Sequence, residues 1–322
     1  MEYIILILAL VGIVFSADTL VAGSVSIARR FKVSDFVIGA AIIGVGTSAP
    51  ELMVSFMGAL GGNADVAVGN VVGSNIFNVL GILGITAIFF PVSFDRQNLR
   101  FEIPFCIGVS VLFMLLSFNF FTGTDLWVGR PDGFVLLAAF AVFMWVSFAR
   151  DKKSKQEVLP VRQQNQQNQE KIDPMWLALI KVTGGLTVLV ICCDLFVDNA
   201  VLIARSFGVN DAFISLTLIA CGTSLPELAA SIAAALKKNT SMALGNIVGS
   251  NIFNIALILG LCSQVTPLTS TGITFVDYIV MILSVLLLYA FGKNCKIERW
   301  EGVLLFLAYV AYTWYLITNQ IA

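Results

Sequence analysis

Two decapeptides, GTSAPELMVS at 46–55 and GTSLPELAAS at 222–231, hold the residues of this chain best suited to chemistry. Each sets a proline beside a glutamate, Pro50-Glu51 and Pro226-Glu227, inside an otherwise apolar run. A carboxylate at mid-bilayer costs about 2.5–3.5 kcal/mol even on lenient insertion scales. Proline has no N–H to donate to the carbonyl four residues earlier, here Gly46 or Gly222. The helices should therefore kink or unwind at these points, and carbonyls freed in hydrocarbon must be satisfied by something other than lipid. Thr47, Ser48, Thr223 and Ser224 add hydroxyl oxygens at the same level. The local chemistry is oxygen gathered around two acids, Glu51 and Glu227.

A second repeated motif, GNVVGSNIFN at 69–78 and GNIVGSNIFN at 245–254, offers a further wall of oxygen. Helical spacing puts Asn70, Ser74 and Asn78 on one face, and Asn246, Ser250 and Asn254 on the equivalent face. Gly69/Gly73 and Gly245/Gly249 are GxxxG pairs, which permit close helix approach. Alone, such a face reads as interhelical glue; beside two buried acids it reads as a ligand set. Oxygen-only surroundings suit hard cations, and calcium takes six to eight oxygens. The chain has no histidine, which excludes imidazole ligands, histidine proton relays and histidine-based triads. Its six cysteines form no CxxC and read as small buried hydrophobes, so zinc and copper are poor substrates. Two acids serving structure alone would have to share a proton. Asp18 and Asp194 are related by the repeat and either line an ion path, sit near helix ends or pair with Ser and Thr; Asp198 has no acidic counterpart at Ala22 and no assigned role.

The elements that must position these groups are membrane helices. Of 322 residues 58% are hydrophobic and 12% charged, about half the charge of a soluble domain. Apolar runs near 3–28, 36–60, 66–90, 102–121, 132–149, 175–198, 211–236, 242–264, 275–292 and 300–318 predict ten spans. The first is too long and too weakly flanked by basic residues for a cleaved signal peptide. A polar, glutamine-rich segment at 150–173 divides residues 1–149 from 174–322. The halves correspond at a constant offset of 176 residues: the acidic motifs agree at 7 of 10 positions and the asparagine motifs at 9 of 10. Asp18, Ile27-Ala28-Arg29 and Asp35 likewise face Asp194, Ile203-Ala204-Arg205 and Asp211. Because five spans is an odd number, the two repeats must enter the membrane from opposite sides. This is the inverted organisation of secondary transporters, with sites expected at the midplane. All 19 Lys and Arg residues except Arg130 and Arg205 fall on the side of the loops that follow odd-numbered spans. Positive loops stay cytoplasmic, so both termini are expected outside and the 150–173 linker inside.

At these residues the chain resembles the cation/calcium exchanger superfamily, in particular its bacterial sodium/calcium-exchanger-type members, whose defining repeats are the GTSxPEL and GNxVGSN motifs. The resemblance implies an all-α membrane protein of ten helices, with spans two, three, seven and eight around the ions and spans one and six sliding as gates. It implies Glu51, Glu227, Thr47, Ser48, Ser74, Asn78, Thr223, Ser224, Ser250 and Asn254 as ion ligands, and the carbonyls of Gly44 and Ala220 as sodium ligands. Several sodium/calcium exchangers carry aspartate where this chain has Asn254, which removes a possible charge and leaves coupling ion and stoichiometry open. The central loop, about 24 residues, has no room for the large calcium-sensing domains of animal relatives.

These readings converge on a multi-pass protein of a bacterial-type cytoplasmic (inner) membrane, a sodium/calcium antiporter and not an enzyme. Calcium and sodium are its substrates, with no cofactor and no nucleic acid partner. A monomer suffices for transport. The rivals are a proton- or potassium-coupled cation exchanger, a cation channel with the same oxygens but no alternating gate, and an intramembrane hydrolase using the two glutamates as acid and base or Ser48 as nucleophile.

Overall fold

A computed structural model describes residues 2–118, 126–158, 173–207, 220–270 and 272–321. Its helices are α1 Glu2–Phe31, α2 Asp35–Thr47, α3 Ala49–Leu60, α4 Ala64–Phe89, α5 Asn98–Ser117, α6 Arg130–Val158, α7 Met175–Ser206, α8 Leu225–Leu236, α9 Thr240–Val265, α10 Phe275–Phe291 and α11 Arg299–Ile321. Among the described residues, eight helices are long and apolar enough to cross a bilayer. The pair α2 and α3, bent by 48°, makes a ninth. Of the seventh expected span, 211–236, only the turn Ala220–Gly222 and helix α8 are described; Asp211 and its neighbours lie outside the described residues. So does 159–172 of the polar linker, while α6 runs on to Val158, past the expected end at 149.

Burial sorts the helices. In their most apolar stretches α4 and α9 are 83% and 94% buried, whereas the other long helices are 17–44% buried. The two asparagine motifs sit on these central helices, where Gly, Ala, Ser and Asn keep the cross-section small. The outer helices expose large side chains such as Phe15, Trp145 and Trp314, the reverse of a water-facing surface. Helix α1 packs along α7 and also covers the alanine face of α8, where Leu20, Val21 and Ile27 meet Ala230, Ala233 and Ala234. Of the repeat-related positions on α3, Val54, Met57 and Gly58, the first two carry exposed side chains.

Among the described residues four stretches widen into π-helix: Gly39–Gly44 in α2, Asn98–Glu102 in α5, Phe77–Leu83 in α4 and Phe253–Ile258 in α9. The last two start at positions 176 apart, Phe77 and Phe253. Such turns occur preferentially at functional sites, and hydrophobic periodicity gives no sign of them.

Short strands tie the loops together. Strand β1, Val92–Ser93, pairs antiparallel with β4, Lys296–Ile297, and Thr240 bonds to Ser93 through its hydroxyl. Strand β2, Leu126–Val128, pairs antiparallel with β3, Leu268–Ser270. Gly272 N–H donates to Asp65 Oδ1 at 2.9 Å. Asp173, at the entrance to α7, accepts from Lys181 Nζ at 2.6 Å and from Ser26 at 3.3 Å. The hydrogen bond from Lys181 holds the Asp173 carboxyl below the usual carboxylate range.

Asp18 is half of an ion pair: Lys237 Nζ lies 2.8 Å from its Oδ1 and 2.9 Å from its carbonyl oxygen. Asp194 and Asp198 are exposed on α7. All six cysteines are free, with Cys106, Cys193 and Cys262 buried and the others half-buried.

Candidate cation site

The helix breaks at the proline-glutamate motifs as the missing N–H requires. Ser48 (φ −80°, ψ 12°) separates α2 from α3, and Ser224 (φ −92°, ψ 8°) precedes α8. Both prolines then sit in the first turn, where their missing donor costs nothing. Glu51 and Glu227 occupy the first turns of α3 and α8, where the positive helix end favours a carboxylate. Neither acid is exposed at all.

The two motifs face each other. Ser48 Oγ donates to Glu227 Oε1 at 2.8 Å, and Ser224 Oγ approaches Glu51 Oε1 at 2.9 Å and Ser74 Oγ at 3.2 Å. Each acid is thus held by the serine of the opposite half. Behind them, Asn70 Nδ2 donates to the Glu51 carbonyl and Ser55 Oγ, and Asn246 Nδ2 to the Glu227 carbonyl and Ser231 Oγ. Asn70 and Asn246 therefore brace the backbone beneath the acids, a different use from the shared ligand face that helical spacing suggested.

What remains bare defines the chemistry. Ten buried side-chain N and O atoms of the described residues lack a hydrogen-bond partner, and five belong to these motifs: Glu51 Oε2, Glu227 Oε2, Asn78 Oδ1, Asn254 Oδ1 and Thr223 Oγ1. Four of the five can only accept. Carboxylate oxygens cannot stay buried and unpaired without a compensating charge or proton. An unhydrated cation fits this set: two charged oxygens, two amide carbonyls and the hydroxyls between them.

The halves are not equivalent in their surroundings. Thr47 Oγ1 reaches Asn246 Oδ1 at 3.2 Å, and among the described residues no matching bond joins Thr223 to Asn70. Ser250 Oγ donates to the Gly44 carbonyl at 3.2 Å, and Gly44 also accepts from Ser48 N–H at 3.1 Å. Residues 242–250 are buried throughout, whereas Gly69 and Asn70 are half-buried and Gly73 is exposed. A Cβ on Gly245 or Gly249 would collide with Phe36 or Ala40 of α2, so this GxxxG pair makes the expected close approach. The pair Gly69/Gly73 does not: among the described residues, nothing stands within 4 Å of a Cβ at Gly73. Ala220 begins the single turn Ala220–Gly222 at the edge of the described residues.

Two residues escaped the sequence reading. Asn75 and Asn251, each 1% exposed, lie against one another between α4 and α9. They belong to the repeated decapeptides, but four-residue spacing drew attention to Asn70, Ser74 and Asn78 and set Asn75 aside.

Comparison with known proteins agrees with this geometry. A family model described as sodium/calcium exchanger protein matches residues 1–149 and 177–318. The putative antiporter CaxA of Alkalimonas amylolytica is 37% identical over 98% of both chains. The sodium/calcium exchanger MaX1 of Methanosarcina acetivorans is 30% identical over 97% of both. A solved structure of the sodium-calcium exchanger NCX_Mj superposes with a TM-score of 0.80 at 32% identity, covering 98% of each chain. Two acids locked to opposing serines in twin motifs, on a multi-pass helical framework shared end to end with these transporters, make this chain a member of the sodium/calcium exchanger family.

Proposed function

We propose that the chain exchanges sodium for calcium across the cytoplasmic (inner) membrane by alternating access, using one site near the bilayer midplane between two inverted five-helix repeats, 1–149 and 174–322. The observation that carries this reading is the set of bare acceptor oxygens on Glu51, Glu227, Asn78 and Asn254. Thr47, Ser48, Ser74, Thr223, Ser224, Ser250 and the carbonyls of Gly44 and Ala220 complete the ligand set. Ions loading this cluster from either side displace one another.

Ten crossings with both termini outside are supported by which loops touch. The β1–β4 pair and the Thr240–Ser93 bonds join the connections after spans three, nine and seven. The β2–β3 pair and the Asp65–Gly272 bond join those after spans four, eight and two. Asp173 joins the connection after span five to Ser26 near the end of span one. Odd meets odd and even meets even, as they must if every counted span, including 211–236, crosses once. The basic residues lie at the odd end, the cytoplasmic one.

The unequal halves support alternating access. The first part of α2 starts at the basic end and is sealed against α9, while the related face of α4 around Asn70 and Gly73 is looser. We read this as a state closed to the cytoplasm and open outward. Inverted repeats that exchange conformations would give the opposite state.

Calcium-45 uptake into proteoliposomes under imposed sodium, potassium or proton gradients tests the proposal. Sodium should drive uptake, and Glu51→Gln and Glu227→Gln should each abolish it while the protein stays monodisperse. Normal transport by both variants refutes the site. Asn254 leaves only two acids here, which favours proton or potassium coupling as the second reading. Uptake driven by those gradients and indifferent to sodium would select it.

A further inference from the structure

We infer that Asn75 and Asn251 are positioning residues that force the amides of Asn254 and Asn78 to present oxygen, never nitrogen, to the cation. The inference rests on the reading of Asn78 and Asn254 as ligands. Asn75 Nδ2 donates to the Asn251 main-chain carbonyl at 3.3 Å, and Asn251 Nδ2 donates to the Asn75 carbonyl at 3.2 Å. A carbonyl can only accept, so each amide must turn its NH2 toward the other's backbone. Its own Oδ1 then faces the opposite way. There Asn251 Oδ1 accepts from Asn78 Nδ2 at 3.0 Å, and Asn75 Oδ1 accepts from Asn254 Nδ2 at 3.2 Å. With their nitrogens committed, Asn78 and Asn254 are left with bare, buried Oδ1 atoms.

The relay crosses the repeat: Asn75 of the first half orients Asn254 of the second, and Asn251 orients Asn78. Both clamp residues stand two positions before the change from α to π register at Phe77 and Phe253. A register change loosens the i to i−4 ladder and makes main-chain carbonyls available to side-chain donors. An unclamped asparagine presents NH2 as readily as oxygen, and NH2 repels a cation. The clamp therefore turns a neutral, ambidextrous amide into a fixed ligand. It also bears on Asn254 itself, because an aspartate there would face Asn75 Oδ1 and would need a proton to donate to it.

The test is a suppression experiment on the full-length protein in proteoliposomes, reading half-saturating calcium for calcium-45 uptake and calcium-induced thermal stabilisation in detergent. Asn75→Ala frees the Asn254 amide and should raise half-saturating calcium by about tenfold or more, the usual cost of losing an outer support of a metal ligand. In an Asn254→Asp background the same substitution should not raise it, because a carboxylate has no nitrogen to turn and loses only an unfavourable contact with Asn75 Oδ1. Equal losses in both backgrounds would reduce Asn75 to packing and overturn the inference. Asn251→Ala, with and without Asn78→Asp, is the mirrored measurement and decides the matter if Asn75→Ala does not fold. Should Asn78→Asp and Asn254→Asp both leave calcium saturation and sodium competition unchanged, the ligand reading fails, whatever Asn75→Ala does.

Discussion

The repeat-related glycines Gly249 and Gly73 offer a direct probe of the proposed two-state cycle. In the structure a Cβ on Gly249 would meet the Cα, Cβ and carbonyl oxygen of Ala40, all within 3.0 Å, so α2 would have to back away from α9. Overpacking of this kind costs about 1–3 kcal/mol. Gly73, at the repeat-related position, is exposed, and Gly73→Ala meets no described atom within 4 Å. In the proposed exchanged conformation the roles would reverse and alanine at 73 would become the one that clashes. Gly249→Ala therefore penalises the state described here, and Gly73→Ala penalises its alternative. A bias of about 1–3 kcal/mol moves the equilibrium roughly 5–150-fold. The higher helix propensity of alanine applies to both variants and cancels. Cys221, half-buried on the turn Ala220–Gly222 that touches the first part of α4, is a native reporter once the other five cysteines are replaced. Its labelling by a membrane-impermeant maleimide from outside should slow in Gly249→Ala and quicken or hold in Gly73→Ala. If both substitutions move labelling the same way, or neither moves it, the proposed exchange of conformations between halves is wrong.

Other measurements address single contacts. Ser48→Ala and Ser224→Ala each remove a hydroxyl bound to the opposite acid, worth about 1.5–3 kcal/mol for a charged acceptor; both should raise half-saturating calcium by at least tenfold without unfolding the protein. Lys237→Met breaks the pair with Asp18, and since that carboxylate is 62% exposed the stability lost should stay under about 1 kcal/mol in thermal melts. Lys181→Met removes the group that lowers the Asp173 pKa. A lowered folded pKa contributes stability above the unfolded value, about 3.9, and loses it as pH falls through the folded value. The variant should therefore melt earlier than the wild type at pH 7, and the gap should close on acidification through the lowered folded value.

Much of this arrangement was legible in the residues themselves. Pro50 and Pro226 announce a break because a missing N–H is a local fact, and Glu51 and Glu227 announce a polar partner because a lone charge in hydrocarbon is too costly. The constant offset of 176 positions paired Ser48 with Ser224 and Asn78 with Asn254 before any coordinates. The crossing of those pairs, with Ser48 on Glu227 and Ser224 on Glu51, could not be read, because repetition says which positions are equivalent and not which ones touch. The π turns at Phe77 and Phe253 were invisible for a similar reason: one extra residue in a buried turn that is apolar apart from its asparagine leaves the hydrophobic pattern unchanged. The contrast between Gly249 and Gly73 was hidden too, since identical motifs in unlike surroundings report a conformational state that composition does not encode.

Coupling follows from the same two acids. With the site empty, Glu51 and Glu227 would have to be occluded as a pair of bare carboxylates each time the protein changed sides. At about 2.5–3.5 kcal/mol each, the pair would add about 5–7 kcal/mol to that crossing. Serine hydroxyls and helix ends offset part of it, but half the penalty, about 2.7 kcal/mol, already slows an empty return about a hundredfold. In the proposed cycle a bound cation would remove the penalty, so the protein would turn over loaded in both directions and exchange would be favoured over leak. Calcium-loaded proteoliposomes diluted into chelator should therefore release calcium about a hundredfold faster with external sodium than with none. Release at one rate in both media would mean that the carboxylates set no barrier, and that the oxygens line a continuous path through which calcium runs without a counter-ion.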